Sequence, residues 1–283
     1  MTNDLNLDRS ISNYAVFGNP IKHSKSPQIH SLFAQQTGIE LEYQAIEIPL
    51  EKFSEYVSLF SSKGGLGINI TIPFKEEACS ICTVLTDRAK LSGSVNTIRF
   101  DEQLNSYGDT TDGQGFINDL TVNNKFKLDG KSILILGAGG SVRAILEPLC
   151  RQKPDHIVIA NRTVSRAEEL AEKFSELGNI SACAYSALSE HSFDLIINGT
   201  SLSLMGELPE IPDTVIKSNT CCYDLMYSDV ATVFMTWAKQ NGAAIVLDGL
   251  GMLVEQAAES FLIWHGVKPD TNTVIKTLRS LSS

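Results

Sequence analysis

Three short segments in the first half of the chain are dense in small polar and ionisable side chains. HSKSP carries Ser24 and Ser26, NITIPFK carries Asn69, Thr71 and Lys75, and the stretch SVNT to GDTTDG carries Asn96, Asp109 and Asp112. Each has an ordinary structural explanation. Serine and asparagine bond their own backbone in turns, Lys75 can be a surface charge at a helix start, and Asp112 can be a cap. Taken together they suit a small polyhydroxylated acid. Serine hydroxyls can hold a carboxylate, and Asn and Asp side chains make directional bonds to ring hydroxyls. A lysine and an aspartate at one hydroxyl can manage its proton while a hydride leaves the same carbon, because an ammonium also stabilises charge on that oxygen.

A second kind of chemistry is suggested by ILILGAGGSV, which sets Gly137, Ala138, Gly139, Gly140 and Ser141 between an apolar strand and a helix. A pyrophosphate approaches backbone N–H groups at a helix N-terminus, where larger side chains would block it. The dinucleotide fingerprint expects a sixth-position Gly or Ala, and Val142 stands there, so the turn alone is equally a structural turn. The next strand decides more. HIVIANRTVSR ends in Asn161, Arg162 and Thr163 with Arg166 beyond, where NAD enzymes usually place a carboxylate for the ribose hydroxyls. Guanidinium groups pair with a 2′-phosphate that a carboxylate would repel, which points to NADP; the alternative is two solvated loop charges.

The elements that must position these residues follow from hydrophobic period and punctuation. YAVFG, LEYQAIEI and LGINITIPF have strand character, and the segments QIHSLFAQQTG and LEKFSEYVSLFSSKGG between them have helical spacing stopped by Gly38 and by Gly64 and Gly65. After Gly130 a second alternation begins, with KSILILG, HIVIANRT, FDLIINGTS, TCCYDLMY and GAAIVLDG as short buried strands, which predicts a parallel, doubly wound sheet. After Asp248 the pattern changes to two helices, GMLVEQAAESFLIWHG and TNTVIKTLRSLS.

Bulk properties narrow the function classes. The 283 residues suffice for two domains, and a net charge of −10 disfavours nucleic acid and anionic membrane as partners. No apolar run is long enough to span a bilayer, and MTNDLNLDRSIS lacks the apolar core of a secretory signal, so a cytoplasmic protein is expected. Of six cysteines, Cys79 and Cys82 form a CxxC inside the helical-looking KEEACSICTVL. With no second ligand pair, ordinary reduced thiols are expected and no metal.

The strings AVFGNPIKHSKSP, NITIPFKEEA, GDTTDGQG, LILGAGG, ANRTVSRAEEL, FDLIINGTS and DGLGMLVEQAA, in that order, resemble the bacterial shikimate dehydrogenase family over essentially the whole chain. The resemblance implies NADPH-dependent, reversible reduction of 3-dehydroshikimate to shikimate in the route to aromatic amino acids. It implies an α/β fold of two domains: a mixed-sheet substrate domain (1–111, completed by 249–283) and a Rossmann-like, doubly wound NADP domain (112–248). Lys75 and Asp112 match the catalytic pair, and Ser24 and Ser26 the carboxylate-binding pair. Asn69, Thr71, Asn96, Tyr227 and Gln256 match substrate contacts. Gly137 to Ser141 match the pyrophosphate turn, Asn161, Arg162, Thr163 and Arg166 the 2′-phosphate pocket, and Leu225 and Gly249 the nicotinamide end. A monomer or homodimer is expected. Two departures stand out. NGTSLSLMG, with Gly199 and Ser203, replaces the usual NATSxG, and Val233 stands near Thr232 where a proline is usual. A quinate/shikimate dehydrogenase using NAD as well, and a non-catalytic NADP-binding protein on the same scaffold, are the alternatives. Ser24, Ser26 and the NRTVSR pocket argue against the first, and the presence of both Lys75 and Asp112 against the second.

Overall fold

The computed structural model describes residues 7, 8 and 10–281, so most of the polar N-terminal stretch lies outside the described residues. The chain divides into two compact units. One runs up to Asp112 and takes in Val254–Leu278; the other comprises Gly113–Leu253 and the chain from Arg279 onward.

In the first unit the elements follow as β1 (Ser12–Gly18), α1 (Ser26–Thr37), β2 (Leu41–Glu47), α2 (Phe53–Ser62), β3 (Gly65–Ile70), α3 (Lys75–Ile81), β4 (Val84–Leu85), α4 (Asp87–Ser92), β5 (Thr97–Phe100) and β6 (Ser106–Asp109). They form a sheet of order β2-β1-β3-β5-β6-β4. β1 is parallel to β2 and β3, whereas β5 is antiparallel to β3 and to β6, so the sheet is mixed. The apolar run YAVFG makes β1 a central strand buried along its length, while β2 lies at the edge and is less covered. Gly38 ends α1 in the left-handed conformation at φ 70, the backbone that glycine adopts without penalty. Phe17 and Phe60 meet edge to face under this sheet, and Phe53 stacks on Phe74.

KEEACSICTVL is not a single helix: α3 stops at Ile81, and Cys82 turns extended at φ −70, ψ 137. The next residues are drawn into the sheet edge, where Thr83 N donates to Ser106 Oγ at 2.9 Å and β4 pairs with β6. β-branched Thr83 and Val84 favour that extended course. Neither of the two cysteines is in a disulfide, and burial pushes Cys82 up to about 12.

The second unit begins inside α5 (Asp112–Asn118), which closes in a π-helical turn at Asp119–Asn123. It continues through β7 (Ser132–Leu136), α6 (Gly140–Cys150), β8 (His156–Ala160), α7 (Val164–Lys173), β9 (Ile180–Cys183), β10 (Phe193–Asn198), β11 (Ile216–Asp224), α8 (Val233–Gln240) and β12 (Ile245–Leu247). All strands are parallel, in the order β12-β11-β10-β7-β8-β9. The order reverses between β7 and β10, the place where ligands bind in open α/β sheets. Continuous runs such as Ile133–Leu136 and Leu195–Ile197 are fully buried, as a sheet covered on both faces requires. Asp194, beside the first residue of β10, accepts from Ser132 N and Oγ at 3.0 Å each and faces Lys217 Nζ at 3.0 Å, fastening the starts of neighbouring strands.

The chain ends with α9 (Leu250–His265) and α10 (Thr271–Leu281). Two buried contacts of the second unit involve these segments. A Cβ on Gly251 would lie 2.0 Å from Asp119 Oδ1, so only glycine fits. Asp248 is gripped by Arg279 through Nη2 at 2.7 Å and Nη1 at 3.1 Å, the two-pronged geometry peculiar to arginine. No helix among the described residues is long and apolar enough to cross a membrane.

In the first unit His30 of α1 is fully buried and stacks flat on Tyr43 at 4.2 Å, and neither of its ring nitrogens makes a hydrogen bond. Burial, aided by nearby His265, pushes its pKa down to about 3. Between the ordinary histidine pKa of about 6.5 and that value, the unfolded chain takes up a proton that the folded chain refuses. Stability is therefore lost as pH falls through this window. In urea titrations from pH 7 to 5, the wild type is expected to lose up to about 1.4 kcal/mol per pH unit more than His30→Phe.

Candidate active site

The first unit assembles five of the predicted residues into one hydrogen-bonded set. Lys75 opens α3 and Asp112 follows β6 by three residues, yet Lys75 Nζ lies 2.7 Å from Asp112 Oδ2. The two side chains are 24% and 9% exposed, so the pair is sheltered but open on the lysine side. The other carboxylate oxygen accepts from Asn96 Nδ2 at 2.8 Å. Asn96 Nδ2 also faces Thr111 Oγ1 at 2.9 Å and Gln256 Oε1 at 3.1 Å, and its Oδ1 accepts from Thr111 N and Thr97 Oγ1, both at 2.9 Å. The backbone fixes this side chain in turn. Asn96 N donates to Asp109 O at 3.0 Å, Asn96 O accepts from Ile70 N at 2.8 Å, and Lys75 O accepts from Val95 N at 2.9 Å.

Asn69 joins the set from β3. Its Nδ2 reaches Asn96 O and Thr97 Oγ1 at 3.1 Å each and Ser260 Oγ at 2.9 Å, and its Oδ1 accepts from Tyr43 Oη at 2.7 Å. Burial pushes the Tyr43 hydroxyl well above its ordinary range, with the Ser26 hydroxyl pulling the other way. Ser24 Oγ accepts from Ser26 N at 3.3 Å, making those two a local pair at the start of α1. Thr71 is half-buried, and its γ-methyl packs where a Cβ on Gly18 would come to 2.4 Å. Tyr43, Thr97, Thr111 and Ser260 escaped the sequence reading. Thr111 adjoins Asp112 within GDTTDG, and Ser260 lies one helical turn beyond Gln256, whose carbonyl it bonds at 3.1 Å; that i, i+4 spacing was the available signal.

The second unit carries the remaining candidates. Gly137 leaves β7 at φ 100, a conformation that favours glycine, and its N–H bonds Ala160 O at 2.8 Å. Gly139 precedes the 11-residue helix α6, and no side chain caps the helix N-terminus. Ala138 is half-buried, and Gly139, Gly140 and Ser141 are exposed. A Cβ on Gly139 or Gly140 would meet nothing within 4 Å, so uncapped helix N–H groups border open space. That cradle fits a pyrophosphate.

Val142, the sixth-position departure, is fully buried, and a Cβ on Gly199 would come 2.4 Å from its Cγ2. The missing glycine of the fingerprint and the extra glycine of NGTS are therefore one exchange of volume across the helix–strand contact.

At the end of β8, Asn161 Nδ2 donates to Thr163 O at 2.8 Å, and Arg166 N donates to the same carbonyl at 3.2 Å. Arg162 and Arg166 are exposed, and no acidic residue stands between Ala160 and Ala167. This fits a phosphate rather than ribose hydroxyls. Beyond β11, Leu225 N donates to Asn198 O at 2.9 Å and Gly249 N to Met226 O at 3.0 Å. A Cβ on Gly249 would lie 2.2 Å from Leu225 O, so glycine is required there. Tyr227 is half-buried, and burial raises its hydroxyl pKa, with Asp229 adding to it. Val233 proves to be the first residue of α8, after the Thr232 cap, where proline is favoured because that N–H has no helical partner. Among the described residues no group of three or more His, Cys, Asp or Glu could hold a metal ion.

An open glycine turn at the switch point of a doubly wound sheet, with arginines beyond the next strand and a lysine–aspartate pair in the unit built on a mixed sheet, defines a nucleotide-dependent α/β oxidoreductase. Residues 16–98 match the model of the shikimate dehydrogenase substrate binding domain. Residues 120–205 match that of shikimate/quinate 5-dehydrogenase, and 249–279 that of the shikimate 5′-dehydrogenase C-terminal domain. The chain belongs to the shikimate dehydrogenase family. A shikimate dehydrogenase (NADP(+)) of Hahella chejuensis is 53% identical over 267 residues, covering 94% of this chain and 98% of the relative. One of Marinobacter nauticus is 51% identical over 283 residues, covering 99% and 100%. The crystal structure of shikimate 5-dehydrogenase from Thermus thermophilus in complex with NADP(H) and shikimate is similar at a TM-score of 0.85 and 30% identity, over 95% of this chain and 99% of that one.

The two kinds of glycine in the turn should separate in stability. Gly137→Ala, strained at positive φ, should lower the unfolding free energy by about 1–2 kcal/mol in urea titrations. Gly140→Ala, at a helix start with open space around it, should leave it unchanged or slightly raised.

Proposed function

We propose that this chain reversibly reduces 3-dehydroshikimate to shikimate with NADPH, a step toward the aromatic amino acids, and that Lys75 and Asp112 are its catalytic pair. The observation that carries the reading is the 2.7 Å contact between Lys75 Nζ and Asp112 Oδ2, with the second carboxylate oxygen already held by Asn96. Bound NADPH supplies the hydride. Lys75 meets the substrate's keto oxygen with its ammonium, stabilises the charge that builds there and gives it a proton. Asp112 aims the ammonium through their 2.7 Å contact. Because Asn96 occupies the other oxygen, Asp112 is not free to swing away from Lys75.

Ser24 and Ser26 hold the substrate carboxylate. Asn69, Thr71, Asn96, Tyr227 and Gln256 meet its hydroxyls. Gly137, Ala138, Gly139, Gly140 and Ser141 take the pyrophosphate, Asn161, Arg162, Thr163 and Arg166 the 2′-phosphate, and Leu225 and Gly249 the nicotinamide end. In this reading the segments 1–111 and 249–283 serve the substrate and 112–248 the nucleotide. The enzyme acts in the cytoplasm as a monomer or homodimer.

NADPH absorbance should fall when 3-dehydroshikimate is added to the wild type. Lys75→Ala should lower kcat by about 10²–10⁴-fold while the NADPH dissociation constant stays within about twofold. An undiminished rate in that variant removes Lys75 from the chemistry. Replacing Arg162 and Arg166 together by Ala should weaken NADPH by about 10- to 100-fold and leave the feeble binding of NADH almost unchanged. Equal losses for both nucleotides would assign the arginines to something other than the 2′-phosphate.

A further inference from the structure

Asp224, the last residue of β11, is fully buried and has no part in the roles assigned above. Both of its oxygens are doubly engaged. Oδ1 accepts from Asn198 Nδ2 and from Met226 N, each at 3.1 Å, and Oδ2 accepts from Ser203 Oγ at 2.9 Å and Thr232 Oγ1 at 2.6 Å. The donors come from the end of β10, the loop after it, the loop after β11 and the cap of α8. Their other valences are also used. Asn198 Nδ2 reaches Ser203 Oγ at 3.0 Å, Asn198 Oδ1 accepts from Thr200 N at 3.2 Å and Oγ1 at 2.8 Å, and Thr232 Oγ1 accepts from Met235 N at 3.2 Å.

Met205 and Val230, on the loops tied by this carboxylate, are 70% and 74% exposed. Leu225 and Tyr227 lie on the second of them, and Gly249 is bonded to it through Met226. A buried carboxylate that meets only neutral donors is costly to keep, so its retention calls for a use.

We propose that Asp224 is a positioning residue that locks the two loops lining the nicotinamide end of the cofactor site, and that Ser203 is the specific bond fastening the first loop to it. Ser203 stands where the family pattern resembled by this chain usually has glycine. The hydroxyl restrains a segment that glycine would leave free. This rests on the reading of the second unit as the NADPH-binding one.

The test compares Ser203→Ala, Ser203→Gly and Asp224→Asn with the wild type, and Ser132→Ala serves as a control that removes hydrogen bonds at the opposite end of the sheet. NADPH binding is followed by nicotinamide fluorescence. Adenosine 2′,5′-bisphosphate, which carries the 2′-phosphate but no nicotinamide, is the second probe. Both Ser203 variants should bind NADPH about three- to ten-fold more weakly, bind the bisphosphate like the wild type, and keep KM for 3-dehydroshikimate within about twofold. Adding Ser203→Ala to Asp224→Asn should cost less than the product of the single effects. Ser132→Ala should bind both probes normally. Unchanged NADPH affinity in the Ser203 variants, or an equal loss of both probes, overturns the proposal while the enzyme's activity stands. If Asp224→Asn does not fold, the Ser203 variants decide. A folded wild type that binds no NADPH overturns the underlying reading and this one together.

Discussion

The 2.7 Å pairing of Lys75 with Asp112 sets the terms for the whole first unit. Two opposite charges withdrawn partly from water hold their place only if the remaining lone pairs and protons are met. Asn96 meets the free carboxylate oxygen, and the β5–β6 hairpin delivers it: Asn96 immediately precedes β5 and Asp112 follows β6 by three residues. The pairing of Thr97 with Asp109 fixes their register. A slip of one residue would turn Asn96 to the other face of the sheet. Asn96 must in turn be held, and Gln256 and Ser260 of α9 close the set from the far end of the chain. The C-terminal helix thus brings two polar side chains to this set, while Val254, Ala257, Ala258 and Phe261 on the same helix are fully buried.

The two halves of the molecule differed in how plainly the sequence announced them. The parallel sheet was legible because each strand is a short apolar run and each connection a helix. The glycine turn and the arginines after β8 were legible because their residue types are unusual where they stand. The antiparallel strands β5 and β6 were not, since TIRF and SYGD are too short and mixed to show a period. β4 was hidden for a related reason: two residues at a sheet edge leave no pattern, and the charged run before them favours helix. Within the site, Lys75, Asp112 and Asn96 were legible as ionisable or amide groups in odd places. Tyr43, Thr111 and Ser260 were not, because a hydroxyl in a core gives no sign of its partner until the fold supplies one. Residue types alone suggested the polar constellation, whereas naming its substrate required the resemblance.

Buried carboxylates serve this chain in two contrasting ways. Asp112 faces a cation and is fixed by one amide, and Asp224 faces only neutral donors, which is why burial raises its pKa. The departures from family pattern are equally instructive. Val142 and Gly199 look like two separate losses of motif on the page, yet they are complementary in volume at one contact. A motif written along the chain misses such exchanges because it records positions singly.

The grip of Arg279 on Asp248 has a practical side. Asp248 is 6% exposed, and its counter-ion sits within three residues of the last described position. A chain trimmed before residue 279 would strand a buried anion beside Gly249, just before α9. Proteolytic nicking of the final turn would therefore be felt at Asp248, well inside the second unit.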